Sequence, residues 1–227
     1  MHGPTRADYR VLIVDDHVLF AEALELALSL EGYDVRRIEL PDEGGSMATL
    51  RSLALRANPR TVILDLDLGR FGDGVNLISP LAHAHVNVVV VTASRDLGRW
   101  GECMRLGARK VLTKSGALQH ALSTVRRLHQ GLPVTTREEL ESLLDARSHQ
   151  SRVDDDIRRR LDRLTPRERQ VLEALIEGRT VRAISQDCVV SDATVRTQVK
   201  SILNKLEVSS QLAAVGMANQ IGWRLGA

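Results

Sequence analysis

Short apolar runs alternate with longer amphipathic stretches over the first 130 residues. The apolar runs occupy residues 11–14, 61–64, 86–91 and 110–112, with a weaker one at 34–39. They are almost wholly apolar, which is typical of parallel strands buried on both faces. The helix-length stretches occupy residues 18–29, 47–56, 75–83, 97–106 and 117–128. This alternation predicts an α/β domain, flavodoxin-like and doubly wound, with a parallel five-stranded sheet.

The pattern changes between residues 131 and 160. Residues 131–133 read Gly-Leu-Pro and end the fifth predicted helix, and a polar, partly helical stretch follows. Acidic and basic side chains nearly cancel there, in blocks such as Asp-Asp-Asp at 154–156 and Arg-Arg-Arg at 158–160. We interpret 131–160 as a linker. The predicted domains are therefore residues 1–130 and 161–227.

Helix-start signals recur after residue 161. Residues 165–168 read Thr-Pro-Arg-Glu, a capping box with proline at the first helical position. Thr180, Ser191 and Ser209 stand where three further helices would be capped. These signals predict a small all-α domain of four helices.

The composition excludes a wholly disordered, a collagen-like and a disulfide-scaffold protein. Hydrophobic residues make up 43% of the chain and charged residues 26%, which is ordinary globular composition. Lys and Arg number 31 against 29 Asp and Glu, so the net charge of +2 does not by itself indicate a polyanion ligand. Cys103 and Cys188 lack metal-type spacing and are expected to be free thiols. Since no signal peptide or membrane-spanning run is visible, a cytoplasmic, membrane-free protein is expected.

Polar side chains that can take part in catalysis or metal binding follow the predicted strands. In chain order they are Asp15, Asp16, Asp65, Thr92 and Lys114. Because the carboxyl ends of parallel strands share one edge of a sheet, these groups are expected to converge. Clustered carboxylates repel one another unless a cation lies among them, and oxygen-only ligands suit Mg²⁺. An Asp carboxylate can also act as a nucleophile and become an aspartyl phosphate.

Residues 9–130 resemble the receiver domain of two-component response regulators. The similarity rests on Val-Asp-Asp-His at 14–17, Leu-Asp-Leu at 64–66, Val-Thr-Ala at 91–93 and Gly-Ala-Arg-Lys-Val-Leu-Thr-Lys at 107–114. By this resemblance Asp65 is the phosphoacceptor, Lys114 pairs with the phosphoryl group and Thr92 moves to hydrogen-bond it. The implied Mg²⁺ ligands are Asp15, acting mainly through water, Asp16, Asp65 and the backbone carbonyl of Asp67.

Three features depart from the receiver pattern. Leu68 and Gly69 stand where the family usually has Met-Pro, and the stretch from there to Gly74 is about one residue longer than usual. The usual aromatic residue of the fifth strand is replaced by Val111. These departures keep open a receiver that works without phosphorylation. His17, beside the acidic pair, is interpreted as structural.

The third helix of the C-terminal domain carries a local basic face. Between residues 193 and 206 there are three basic residues and no acidic one. A short helix, a tight turn and a capped basic helix describe a helix-turn-helix, whose second helix enters the major groove. Residues 164–168, 183–184, 190–191, 194–196, 199, 202–203 and 205–206 resemble the LuxR-type DNA-binding domain. The resemblance implies base contacts from Arg196, Thr197 and Lys200, phosphate contacts from Thr194 and Lys205, and a dimerising helix at 209–222.

Both resemblances together predict a two-component response regulator of the NarL/FixJ type. Such a protein would be a DNA-binding transcriptional regulator, not an enzyme, phosphorylated on Asp65 by a sensor histidine kinase. Its expected partners are double-stranded DNA, the kinase and a second copy of the chain, with RNA polymerase as a further candidate. Two alternatives stay open. One is a phosphorylation-independent LuxR-type transcription factor, and the other is a haloacid-dehalogenase-like phosphatase, because Asp65-Leu66-Asp67 also resembles that nucleophile motif.

Overall fold

The computed structural model describes residues 5–40 and 45–224. Outside the described residues lie 1–4, 41–44 and 225–227. The first and last of these ranges are the outer ends of the two predicted domains. The backbone separates into two compact units, Met1–Ser148 and His149–Ala227.

The first unit is built on a parallel sheet. Its strands are β1 (Arg10–Val14), β2 (Asp34–Arg37), β3 (Thr61–Leu64), β4 (Asn87–Thr92) and β5 (Ala108–Thr113). They lie in the order β2-β1-β3-β4-β5, and every neighbouring pair is parallel. Val14 pairs with Leu64, and Leu64 with Val90, so the carboxyl ends of the central strands are level. The doubly wound five-stranded fold expected from the sequence is confirmed.

Helices cover both faces of this sheet. They are α1 (Val18–Leu30), α2 (Met47–Arg56), α3 (Val75–His83), α4 (Leu97–Arg105) and α5 (Ala117–His129). Leu12 enters one hydrophobic core and the next residue, Ile13, enters the other, and neither is more than 1% exposed. Burial on both faces explains why the strands are apolar throughout rather than alternating.

The stretch predicted as a linker is helical over most of its length. A 26-residue helix, α6 (Arg137–Asp162), runs through it and contains the boundary between the two units. Its charge blocks form pairs along the helix surface, such as Arg158–Asp155 at 3.0 Å and Arg160–Asp156 at 2.7 Å. Such pairs three or four positions apart stabilise a helix. The domain limits at 130 and 160 stay a prediction.

The second unit is all helical. After the end of α6 come α7 (Pro166–Ile176), α8 (Val181–Asp187), α9 (Asp192–Leu206) and α10 (Gln211–Gln220). Thr165, Thr180, Ser191 and Ser210 accept a backbone N–H at the four N-termini. The fourth cap is therefore one residue later than the predicted Ser209. Each cap satisfies a backbone donor that the first turn of a helix leaves unpaired.

None of the described helices is both long enough and apolar enough to cross a membrane.

Candidate functional site

The strand-end residues of the first unit do converge. Asp15 follows β1, Asp65 follows β3, Thr92 ends β4 and Lys114 follows β5. Asp15, Asp65 and Thr92 are all at most 5% exposed. Buried carboxylates are costly unless they are paired or bind a cation, so this edge of the sheet is built for charge chemistry.

Lys114 joins two of these carboxylates. Its Nζ lies 2.6 Å from Asp65 Oδ2 and 2.9 Å from Asp15 Oδ1. Burial raises the pKa of Asp65, and Asp15 raises it further, while the hydrogen bond from Lys114 opposes both. Burial lowers the pKa of Lys114, but hydrogen bonds donated to Asp65 and Asp15 outweigh that effect and leave it raised. The ammonium therefore stays charged beside Asp65.

The remaining ligand capacity of the cluster suits a cation. Among the described residues, Asp15 Oδ2 is buried and has no hydrogen-bond partner. Candidate ligand atoms of Asp15, Asp16, His17 and Asp65 all lie within 4.8 Å of one another. Hard oxygen ligands with room for water fit Mg²⁺ better than a softer metal.

His17, interpreted from the sequence as structural, lies inside this cluster. Its Nδ1 is 2.7 Å from Asp16 Oδ1 and 2.9 Å from Lys114 Nζ, while its side chain is 60% exposed. The backbone N–H of His17 donates to Asp15 Oδ1 at 2.8 Å. That N–H helps to fix the buried carboxylate, a role that depends on backbone geometry and has no sequence signal.

The loop after β3 carries the departures from the receiver pattern. Leu68 is 1% exposed, and Gly69 has φ +54°. Proline holds φ near −65°, so the usual proline cannot occupy the position of Gly69 in this conformation. Asp67 N donates to Asp65 Oδ1 at 3.3 Å, while the exposed Asp67 carboxylate accepts from Gly69 N at 3.2 Å. One oxygen of the Asp67 carboxylate thus accepts from its own loop.

Thr92 is bound by its own loop as well. Its Oγ1 accepts a hydrogen bond from Ser94 N at 3.1 Å. Lys114 N donates to the carbonyl of Thr92 at 2.8 Å, which ties the ends of β4 and β5 together. Val111, on β5, is 5% exposed and belongs to the core.

The basic face of α9 is exposed as expected. Val195, Val199 and Ile202 are buried on one side, and Arg196, Thr197 and Lys200 are exposed on the other. Across the part of the chain that the structure describes, neither Arg196 nor Lys200 forms an ion pair.

Thr194 and Lys205 already have partners within the domain. Thr194 Oγ1 is 2.9 Å from Ser191 Oγ. Lys205 Nζ donates to Glu168 Oε2 at 2.7 Å, and Ser201 Oγ donates to Glu168 Oε1 at 2.7 Å. The ammonium of Lys205 keeps two further donors for a phosphate.

The sequence predicts Glu168 only as a helix-capping residue, but in the structure its carboxylate also holds α9. It is 6% exposed, and Thr165 N also donates to its Oε2 at 2.7 Å. Burial raises the pKa of Glu168, but the hydrogen bonds from Lys205, Ser201 and Thr165 outweigh it and lower the pKa to about 2. One carboxylate therefore joins the start of α7 to the end of α9 and fixes the helix that carries the basic face.

Comparison with known families matches both parts of the chain. Residues 11–126 match the model of the response regulator receiver domain. Residues 162–218 match that of bacterial regulatory proteins of the luxR family.

Relatives match this chain over almost its whole length. The nitrate/nitrite response regulator protein homolog of Haemophilus influenzae is 27% identical over 207 residues, covering 90% of this chain and 93% of its own. The transcriptional regulatory protein YdfI of Bacillus subtilis is 28% identical over 214 residues, covering 94% and 96%. A solved structure of the RcsB response regulator of Salmonella typhimurium is similar in fold, with a TM-score of 0.51, 22% identity and coverage of 93% and 99%.

Proposed function

The chain belongs to the response regulator receiver family and carries a luxR-family domain after it, and we propose that phosphorylation of Asp65 controls its binding to DNA. The observation that carries this proposal is the buried Asp65 carboxylate, held 2.6 Å from the Lys114 ammonium beside a second buried carboxylate. The proposed protein is a transcriptional regulator rather than an enzyme. We propose residues 1–130 as the receiver, 131–160 as the connection and 161–227 as the DNA-binding domain.

The phosphoryl transfer follows from the positions of the side chains. A carboxylate oxygen of Asp65 attacks the phosphorus of a phosphohistidine on a sensor kinase, and the imidazole leaves. The new phosphoryl oxygens accept hydrogen bonds from Lys114 and from the hydroxyl of Thr92, whose oxygen accepts from Ser94 N in the resting protein.

Asp15, Asp16 and Asp65 would hold Mg²⁺, with the backbone carbonyl of Asp67 as a further ligand. The unpartnered Asp15 Oδ2 and the oxygen-rich set support this assignment. When bound, Mg²⁺ offsets negative charge on the transferring phosphoryl group. Asp15 and Asp16 would supply the negative charge that retains the cation, and the Lys114 ammonium, 2.6 Å from Asp65, would offset charge on the phosphoryl group.

The DNA contacts would come from α9. We propose that Arg196, Thr197 and Lys200 reach base edges in the major groove, and that Thr194 and Lys205 contact phosphates. Two copies of the chain would place two α9 helices on paired half-sites, since one small domain makes few contacts. The proposed partners are double-stranded DNA, a sensor histidine kinase, a second copy and RNA polymerase, and the proposed location is the cytoplasm.

The phosphatase alternative is disfavoured by position. Asp65 lies after β3, the third strand in the chain, whereas that family normally carries the nucleophile motif on its first strand. One oxygen of the exposed Asp67 carboxylate accepts from Gly69 N. No turnover of a generic phosphatase substrate is therefore expected.

The proposed function is tested by DNA affinity before and after phosphorylation. Duplexes selected from a random-sequence library by the full-length protein serve as the probe. With acetyl phosphate and Mg²⁺ the affinity of the wild type is expected to rise, and that of Asp65→Asn to stay the same. An equal change in both proteins, or no change in either, would mean that Asp65 does not control binding.

The DNA-contacting face is tested by single substitutions. Arg196→Ala and Lys200→Ala are each expected to weaken specific binding by about 1–3 kcal/mol, because each removes a contact to a base. Arg159→Ala is the charge-matched control, since Arg159 is an exposed residue of α6 paired with Asp156. All titrations use the same salt concentration, because affinity for DNA depends on salt, so the control separates a lost base contact from lost charge. If all three variants lose affinity equally, the lost charge alone explains the effect and this face is wrong.

A further inference from the structure

A chain of hydrogen bonds links Thr92 to a tryptophan in α4. Ser94 N donates to the hydroxyl of Thr92 at 3.1 Å, and Trp100 Nε1 donates to the carbonyl of Ser94 at 3.0 Å. Ser94 Oγ accepts from Asp96 N at 3.3 Å, and Asp96 caps α4 through Gly98 N at 2.8 Å. The loop between β4 and α4 is thus held at Ser94 and Asp96 by hydrogen bonds within the loop and to the first turns of α4.

The indole of Trp100 is anchored in the receiver core. It is half-buried and packs against the same hydrophobic cluster that contains Val111. Valine leaves more room beside α4 than an aromatic side chain would at that position of β5. A ring that is packed on its apolar part and bonded through its N–H can hold the Ser94 carbonyl in one place.

The residues after Trp100 pack closely on the first half of α6. A Cβ on Gly101 would lie 2.0 Å from the carbonyl oxygen of Leu143, so the two helix backbones are in contact. Glu102 accepts hydrogen bonds from Arg105, on its own helix, and from Arg147 of α6. These hydrogen bonds outweigh burial and lower the pKa of Glu102 to about 2.

A second contact fixes α6 to the sheet. Lys110 of β5 donates to both carboxylate oxygens of Glu139, at 2.6 and 2.7 Å. Leu143 between these charged pairs is 7% exposed. Since all of these residues belong to the first unit, α6 supports α4 and β5 from within that unit.

We propose that Trp100 is a positioning residue for the phosphorylation site, and that the first half of α6 stabilises its resting position. When the Thr92 side chain turns to a phosphoryl group on Asp65, its oxygen moves away from Ser94 N, and the loop at Ser94, which Trp100 holds by its carbonyl, shifts with it. Phosphorylation therefore moves the indole and loosens the contact of α4 with α6. This inference rests on the proposed function, because it needs a phosphoryl group on Asp65.

The emission of Trp100 tests the movement directly. Trp100 and Trp223 are the two tryptophans of the chain, so Trp223→Phe leaves one reporter. In this full-length variant, acetyl phosphate with Mg²⁺ is expected to change the emission maximum, and the same variant with Asp65→Asn should show no change. The intact mass is read in the same samples. Without a phosphate adduct the proposed function fails, whereas an adduct with unchanged emission overturns the positioning role alone.

The hydrogen bond is tested by Trp100→Phe, which keeps an apolar ring and removes the donor. Within the proposal the phosphoryl group is lost when the loop returns to its resting position, which this bond stabilises. Loss of the bond is therefore expected to lengthen the half-life of the phosphorylated form about fivefold, the factor by which one ordinary hydrogen bond shifts an equilibrium. Trp223→Phe is the control and should leave the half-life as in the wild type. An unchanged or shorter half-life in Trp100→Phe overturns the proposal. If Trp100→Phe does not fold, the emission measurement decides.

The support from α6 is tested through the two partners of Glu102. Arg147→Ala, in the Trp223→Phe background, is expected to shift the resting emission of Trp100 towards that of the phosphorylated protein. Arg105→Ala removes an arginine bonded to the same carboxylate but leaves the bond from α6 in place. It should leave the emission unchanged. Equal emission in the two variants would overturn the role of α6.

Discussion

Replacing Gly74 by alanine is expected to cost the receiver domain about 3 kcal/mol and to abolish phosphorylation of Asp65. A Cβ at this position would lie 2.2 Å from the carbonyl oxygen of Asp65 and 3.2 Å from Leu66 Cα. Gly74 N also donates to the carbonyl of Leu66 at 2.8 Å, so the two backbones cannot separate without losing that bond. The displaced atoms belong to the phosphoacceptor itself.

Gly131→Ala is the control that separates the steric overlap at Gly74 from the general effect of replacing a glycine. Gly131 has φ +71° and no atom near its added Cβ, so alanine there pays only for the left-handed backbone, about 1–2 kcal/mol. Urea unfolding followed by Trp100 emission in the Trp223→Phe background gives both stabilities. Gly131→Ala should still take up phosphate at Asp65. Normal phosphorylation of Gly74→Ala would show that the loop after β3 tolerates movement and that its geometry does not position Asp65.

Replacing Glu168 by glutamine is expected to destabilise the C-terminal domain by about 2 kcal/mol at neutral pH. The pKa of Glu168 is about 2 in the folded protein, below its ordinary value of 4.5. Its contribution to the free energy of unfolding is therefore complete above about pH 4.5 and is lost as the pH falls towards 2. The glutamine variant should lack this part of the pH dependence, and DNA binding should weaken as α9 loses its support.

Unfolding of this domain can be followed by Trp223, which packs on the C-terminal core, in a Trp100→Phe background. Glu177→Gln is the matched control, because Glu177 follows the same helix α7, is exposed, and its carboxylate forms a single ion pair within the described residues, at 3.9 Å to Arg179. Its stability should follow the wild type at every pH. If Glu168→Gln and Glu177→Gln lose stability equally, the buried network around Glu168 does not stabilise the domain.

Local sequence patterns were sufficient to predict the sheet and the residues at the carboxyl ends of its strands. Apolar runs such as residues 61–64 can be buried on both faces only in a sheet with helices on each side, so they fix the layers as well as the strands. Asp15, Asp65 and Lys114 come together because parallel strands end at one edge, whatever the loops do. The predicted convergence needed only chain order.

The helix α6 shows where local patterns are insufficient. Its few buried apolar residues, Leu143, Ile157 and Leu161, are spread over 26 positions, and charges fill the space between them. A charged stretch with so little periodicity resembles a linker. Pairs such as Arg158–Asp155 and packing of Leu143 at Gly101 supply the stability that periodicity does not display.

Other parts of the site depend on contacts between residues distant in the chain. Glu168 and Lys205 are 37 positions apart, and the bond between them changes the expected role of Lys205 from a free phosphate contact to a residue shared with Glu168. Likewise, the sequence alone does not distinguish Gly74 from an ordinary loop glycine, whereas the structure shows the carbonyl of Asp65 against it. One sequence records which residues are present but not which of them meet.

The central claim is that Asp65 accepts a phosphoryl group, and the intact mass of the protein tests it most directly. Wild-type protein and Asp65→Asn are incubated with acetyl phosphate and Mg²⁺, and the adduct is mapped by peptide analysis. The wild type is expected to gain the mass of one phosphoryl group, located on Asp65, and Asp65→Asn to gain none. A wild type that gains no phosphate, or an Asp65→Asn variant that gains as much, would contradict the account and favour a receiver that works without phosphorylation.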